Sequence, residues 1–424
     1  MDDRPPLREA VPLGFQHLVA MLLGNITPPL LVAGALSLSG ADTALLMQAV
    51  FFMAGIAILV QAYPIGPVGG RIPVIMGTSI AFVTGIIVIG REYGLAAVFG
   101  ACLVASVVEI LLGFSISRLR TLFPPLVNGI VVMLIGLTLI PVGMDYAAGG
   151  VAAADYGAPV NLLMAGVVFL VTLLLNRFGK GFLRHASLLV GVVTGYALAI
   201  ALGRVDFSAV SDAGLLAAPR PLAFGLEFHV DAILLMAFIY VISAMETIGD
   251  ISGTLAAVDR DATTQELSAD GVMSGLAALF SAFPNTSYSQ NVGLVNFTGV
   301  VSRHVTAISG VILVVFGLVP VVGAGFATIP APVIGGGGLI MFSVIFASGS
   351  AILHRGVVLD QRNMIVLAVS LGLGLGIELR PDVLQSLPDW VGTFFGSGLI
   401  TGGLSALVLN AVLPVEANDP VGPA

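Results

Sequence analysis

An all-α polytopic membrane protein is predicted from three observations: the composition, the spacing of the apolar runs, and the placement of the basic residues. Of 424 residues, 57% are hydrophobic and only 9% charged, with a mean hydropathy of +1.07; a soluble chain carries about 25% charged residues. Apolar runs of 14 to 23 residues, separated by short polar loops, recur from residue 14 to residue 414. A helix needs about 20 residues to cross about 30 Å of hydrocarbon, and it satisfies its own backbone polar groups against lipid.

In chain order the spans are read at 14–36, 42–62, 73–90, 94–115, 123–141, 160–176, 186–203, 231–250, 268–281, 285–301, 304–325, 332–350, 363–378 and 392–414. An even count of fourteen puts both termini on one side of the bilayer. With the N-terminus cytoplasmic, Arg4, Arg8, Arg71, Arg118, Arg120, Arg177, Lys180, Arg184, Arg260, Arg303, Arg355 and Arg362 fall inside. Arg91, Arg204, Arg220 and Arg380 fall outside, so the 16 basic residues divide 12 to 4. That bias follows the positive-inside rule and predicts cytoplasmic N- and C-termini. The first run has span length and no cleavage pattern, so it reads as a transmembrane helix rather than a removable presequence. The longest hydrophilic connection, 204–230, is too short for a separate domain.

The third and tenth spans are unusual. The third opens PIGPVGGRIPVIMGTSIAFV and the tenth SAFPNTSYSQNVGLV. Each has a proline before a short extended piece, then small polar residues, then an apolar helix. They hold the same place in two successive sets of seven. Seven is odd, so the two sets insert in opposite directions, and interrupted helices at matching places of inverted halves point to a transporter's midplane site.

Acidic residues inside spans are costly and usually face a cavity or the bundle interior. Glu246 and Asp250, in AMETIGDISG, are four apart and share a helix face. His17 is a candidate proton relay, and Asp270, at the start of the ninth span, is placed to brace the tenth or to take part in coupling. Glu109 has no evident partner and reads as structural. Gln290 and Asn291 offer amide donors and acceptors that match the alternating N–H and C=O edge of a planar heterocycle. At the start of a half-helix they sit beside unpaired backbone N–H groups. A heterocycle with several N–H and C=O groups therefore fits better than an inorganic anion. Lys is absent from the spans and Arg lies in loops or at span ends, so there is no basic ring for an anion pore.

Other chemistries find little support. Cys102 is the only cysteine, and His185, His229, His304 and His354 lack metal-binding spacing, which disfavours a metal site or a membrane protease. With no Walker motif, transport is secondary or passive, and neither an enzyme nor a nucleic-acid partner is indicated.

These residues resemble the nucleobase/ascorbate transporter family. Its signature is Gln, Glu or Pro followed by Asn-x-Gly-x-x-x-x-Thr, which Gln290-Asn291-Val292-Gly293-Leu294-Val295-Asn296-Phe297-Thr298 fits at each fixed position. Gln16-His17, Gly77 to Ser79, Glu246 to Asp250, Ala269 to Gly271 and Ser302-Arg303 reinforce the resemblance, which covers the chain from first span to last.

The resemblance implies two inverted repeats of seven segments. A core domain would comprise residues 14–115 and 231–325, a gate domain residues 123–203 and 332–414, and short β-strands would open segments 3 and 10. It implies substrate contacts from Glu246, Gln290, Ser79, Ile80, Ser289 and Asn291, and proton coupling through Glu246, His17, Asp270 and Asp250. Gln at the first signature position resembles the xanthine and uric acid permeases. Asp250 stands where uracil permease has His, and Ile80 stands where the family often has a stacking Phe. The expected function is proton symport of a purine nucleobase, xanthine or uric acid, by an elevator-type motion. The alternatives are a uracil or other nucleobase symporter, then an anion exchanger or channel of the same fold. H⁺ is the expected coupling ion with Na⁺ the alternative; no cofactor is implied. A homodimer in the inner (plasma) membrane is expected.

Overall fold

Helix starts and stops follow local sequence in the computed structural model, which describes residues 1–114, 124–151, 153–211, 213–255 and 264–414. Arg118, Arg120 and Arg260 and the domain limits at 115 and 123 lie outside the described residues. Helix α1 spans Leu7–Ala35 and α2 Gly40–Ala62. The Ser39 hydroxyl caps α2 by accepting the Asp42 N–H at 3.1 Å, satisfying a donor that the first turn leaves free. A three-residue strand, β1 (Met76–Thr78), follows, then a single 3₁₀ turn (Ile80–Phe82), α3 (Val83–Tyr93) and α4 (Leu95–Gly113).

Helices α5 (Pro125–Ala147) and α6 (Pro159–Phe178) start with proline, where a missing N–H costs nothing. Helix α7 covers Ser187–Ala201, α8 Val230–Leu255 and α9 Thr264–Leu279. The second strand, β2 (Asn285–Ser287), leads into α10 (Ser289–Thr298), which stops at Gly299 in the left-handed region, φ 67°, a conformation glycine adopts without strain. The chain finishes with α11 (Arg303–Leu318), α12 (Pro320–Ala327), α13 (Ala331–Gly356), α14 (Gln361–Leu379), α15 (Asp389–Phe395) and α16 (Gly398–Val412).

Among the described residues, eight helices are long and apolar enough to cross a membrane, and the pair α11–α12, bent by 86°, makes a ninth. The chain is a multi-pass membrane protein. The other runs counted by hydropathy become shorter pieces: α7 and α16 have 15 residues each and α9 has 16. The third and tenth runs divide into a strand and a half-helix of 11 and 10 residues. Hydropathy registers apolar length, whereas here part of that length is extended backbone.

The two strands pair antiparallel, Met76 opposite Ser287, Gly77 opposite Thr286 and Thr78 opposite Asn285. The ladder extends at both ends, from Ser79 N–H to Pro284 O at 2.9 Å and from Tyr288 N–H to Ile75 O at 3.1 Å. Around this ribbon α4 packs on α8 and α9, and α2 on α11; separately, α5 packs on α13 and α14 on α16. The α5–α13 approach is close enough that a Cβ on Gly136 would lie 2.6 Å from the Phe342 carbonyl oxygen.

At one end of the molecule, the N-terminus meets the start of α11. Arg303 Nε donates to Asp2 at 2.6 Å and Nη1 to the Ala62 carbonyl at 2.6 Å. The Arg303 hydrogen bond and charge hold the Asp2 carboxyl below its ordinary range. Arg204 does the same to Asp155 through a 2.6 Å contact between the loops flanking α6 and α7.

Candidate functional site

A cavity of about 410 Å³ opens between the strand ribbon and the α5–α13 pair, within the range of small-molecule sites. Glu246 and Asp250 from α8, Thr286, Ser287, Tyr288, Ser289 and Gln290 from the β2–α10 junction, and Thr78 and Ile80 from the β1 side line it. The opposite wall comes from Asn128 and Val132 on α5 and from α13 residues such as Met341, Ile345 and Ser348.

Asp250 organises the junction. Its Oδ2 accepts the Ser287 hydroxyl at 2.9 Å and its Oδ1 the Ser289 hydroxyl at 2.5 Å. The carboxylate therefore spans the last strand residue and the first helix residue. Tyr288 lies between them; its hydroxyl donates to the Thr78 carbonyl at 2.8 Å, tying the two interrupted segments together. Its ring lies against Gly24 of α1, where a Cβ would come 2.4 Å from the ring; any other side chain would displace it. Asn25 Oδ1 accepts the Thr78 N–H at 2.8 Å, closing the ladder at the point where the strand has no partner on that side.

Glu246 differs from Asp250. It is half-buried at the cavity wall, and no side-chain hydrogen bond or ion pair engages its carboxylate among the described residues. The adjacent N–H groups of Ser289 and Gln290 begin α10 and have no intrahelical acceptor. An acceptor-only carboxylate, free backbone donors and the two-way amide of Gln290 thus face one space. That set can grip a planar ligand carrying both N–H and C=O groups.

The expected site residues separate into two groups. Glu246, Asp250, Ile80, Ser289 and Gln290 line the cavity. Ser79, His17, Asn291 and Asp270 do not line it. Ser79 is buried, and its oxygen accepts the Ala81 N–H at 3.3 Å to start the 3₁₀ turn. Asn291 is buried and donates through Nδ2 to His17, to the carbonyl at 2.9 Å and to Nδ1 at 3.1 Å. In the neutral ring an accepting Nδ1 leaves the proton on Nε2. Asp270 accepts the Thr247 hydroxyl at 2.5 Å, and Thr247 lies 3.1 Å from the Thr286 hydroxyl. The α5 and α13 wall was not legible as part of the site, nor were Thr247 and Asn25, which hold Thr286 and Thr78 of the lining from behind. Threonines and apolar residues are ordinary in spans, and only the tertiary arrangement brings them to the cavity wall or behind it.

The model of a permease family matches residues 8–383. The chain is similar to the xanthine permease XanP of Escherichia coli (strain K12), 38% identical over 98% of this chain and 94% of that one. It is also similar to the uric acid transporter UacT of the same strain, 39% identical over 94% of this chain and 84% of that one. Among solved structures, the transmembrane domain of a cyanobacterium bicarbonate transporter, BicA, superposes with a TM-score of 0.59 at 14% identity, covering 96% of this chain and 99% of that one. At that identity the likeness concerns the fold alone.

Proposed function

The chain belongs to the nucleobase/ascorbate transporter family, and from that premise we propose that it is a secondary carrier importing a purine nucleobase, xanthine or uric acid, by proton symport. The observation that carries this reading is the unpartnered Glu246 carboxylate facing a cavity beside Gln290 and the start of α10. Glu246 accepts ring N–H groups, Gln290 reads a paired donor and acceptor edge, and the Ser289 and Gln290 N–H groups take a ring carbonyl. Xanthine and uric acid present such edges in number. The similar permeases named for these two substrates support the choice. The anion-exchange alternative is favoured by fold likeness only, and among the described residues no basic side chain lines the cavity to hold an inorganic anion.

The architecture in this reading is fourteen segments in two inverted sets of seven. The strand–half-helix units β1–α3 and β2–α10 are third and tenth, and their antiparallel pairing supports the inversion. The core holds α1 to α4 and α8 to α12; the gate holds α5 to α7 and α13 to α16. The cavity lies between core and gate walls, as an elevator-type displacement of one against the other requires. The N-terminus and the Arg303 end face the cytoplasm of the plasma membrane, and gate faces unoccupied within one chain meet lipid or a second copy.

The test is uptake of radiolabelled xanthine, uric acid, uracil and ascorbate into proteoliposomes, with and without a pH gradient. Gradient-driven uptake of a purine is expected. Purine-free preference for ascorbate or uracil, or uptake indifferent to pH and membrane potential, overturns the substrate or the coupling respectively. The wall at Ile80 yields a further prediction. An aromatic face on a base contributes about 1 to 3 kcal/mol, so Ile80→Phe should tighten purine binding by at least about fivefold, read as a fall in the half-saturating concentration of uptake.

A further inference from the structure

Glu109 takes no part in the carrier reading, and packing alone does not account for it. It lies on α4, fully buried, and neither carboxyl oxygen has a hydrogen-bond partner. Helix α4 meets α9 closely here: a Cβ on Gly271 would come 2.7 Å from the Ile110 nitrogen and 3.1 Å from the Glu109 carbonyl carbon. The residue before Gly271 is Asp270, fully buried, whose Oδ1 also lacks a partner. The Glu109 and Asp270 carboxyls lie near enough to interact through their charges. From α8 the titratable neighbours are Tyr240, whose hydroxyl donates to the Cys102 carbonyl at 3.1 Å, and the carboxyls Glu246 and Asp250, whose charges act with that of Asp270; Cys102 belongs to α4 itself. On the other packed element, α3, the charged residues Arg91 and Glu92 and the titratable Tyr93 stand at the α3–α4 junction. Glu109 lies fourteen residues into α4 from there, about 20 Å at 1.5 Å per residue. No basic side chain is among the groups acting on either carboxyl.

Two carboxylates without a cation cannot both be charged in such a place. Removing one ion from water costs several kcal/mol, and a like charge beside it adds to that cost. One proton on either group removes the repulsion, because the group that holds it is neutral, and it leaves a single buried charge rather than two. The pair also has an outlet: Asp270 accepts from Thr247, Thr247 lies 3.1 Å from Thr286, and Thr286 lines the cavity.

We propose that Glu109 and Asp270 share the transported proton as a single buried carboxyl pair, reached from the cavity through Thr247 and Thr286. Along the relay each threonine oxygen accepts one proton as it passes its own to the next acceptor, so both hydroxyls are regenerated and one carboxylate becomes an acid. Glu109 is then a coupling residue that never touches the substrate. The inference rests on the carrier reading.

The test compares wild type, Glu109→Gln and Glu109→Asp in proteoliposomes, using radiolabelled xanthine. Two quantities are measured: accumulation under a one-unit inward proton gradient, and exchange at equal pH. One proton per substrate sets a limit of about tenfold accumulation per pH unit. Wild type should approach it. Glu109→Gln should fall to no accumulation while exchange persists, with an exchange rate that no longer varies with pH, and Glu109→Asp should recover part of the pH dependence. Wild-type accumulation by Glu109→Gln overturns the proposal. So does a joint loss of accumulation and exchange with a lowered melting temperature, which identifies a structural carboxyl. Absence of xanthine transport by wild type is a different outcome: the same comparison is then run with radiolabelled uric acid, and absence of both removes the carrier reading itself.

Discussion

Glu246→Gln is expected to abolish purine transport while leaving expression and monodispersity intact. The side chains have nearly the same shape, so packing in α8 is retained. The chemistry at the cavity wall is not. The carboxylate offers acceptors only, and a ring N–H meets one at either oxygen; the amide replaces half of that with an N–H₂ that opposes the ring's own donor. Losing one partner of a desolvated charged hydrogen bond costs about 2–5 kcal/mol, at least about thirtyfold in affinity. Binding measured by scintillation proximity should fall together with uptake and with exchange at equal pH. That joint loss distinguishes Glu246 from Glu109, whose variant should exchange but not accumulate. Transport within twofold of wild type would remove Glu246 from the site.

The contrast shows which parts of the site a reader of the sequence can see. Glu246 and Asp250 stand four apart and do share a face, because a helix repeats every 3.6 residues; both line the cavity. The neighbours Gln290 and Asn291 are about 100° apart on α10 by the same geometry. One can face the cavity only if the other turns away, and Asn291 turns to His17. The signature therefore reads as one cavity-facing amide and one that fixes α1 against α10. Ser79 and Ile80 separate similarly, one starting a turn and the other forming wall. The strands were visible as short extended pieces after proline. Their register, Gly77 opposite Thr286, depends on residues 209 positions apart in the chain and leaves no local signal. The same is true of the α5 and α13 wall, whose apolar side chains are those any lipid-facing helix would carry.

Asp250→Asn should lower initial uptake by about ten- to hundredfold, since misplacing a site by about 1 Å can cost a factor of 100. The carboxylate accepts two serine hydroxyls at once, from Ser287 and Ser289, one on each side of Tyr288. Asparagine has one acceptor oxygen, and its amide nitrogen must face the second serine. A charge-assisted bond is about twice as strong as a neutral one, so the junction between β2 and α10 loosens by about 1–3 kcal/mol. Gln290 comes next in the chain and inherits that motion. The loss should appear as faster hydrogen exchange across 285–290 than in wild type, with accumulation under a proton gradient reduced in rate but not in its final ratio. Ser289→Ala should have a smaller effect alone and almost none when added to Asp250→Asn, because residues sharing one hydrogen bond are not additive. A variant that reaches no gradient-driven accumulation at any time would instead make Asp250 a carrier of the proton. One with wild-type rate and exchange would show that the clamp does not orient Gln290. The arrangement favours the clamp: both oxygens of Asp250 are engaged by hydroxyls that hold the backbone, whereas those of Glu246 face the space a substrate would fill.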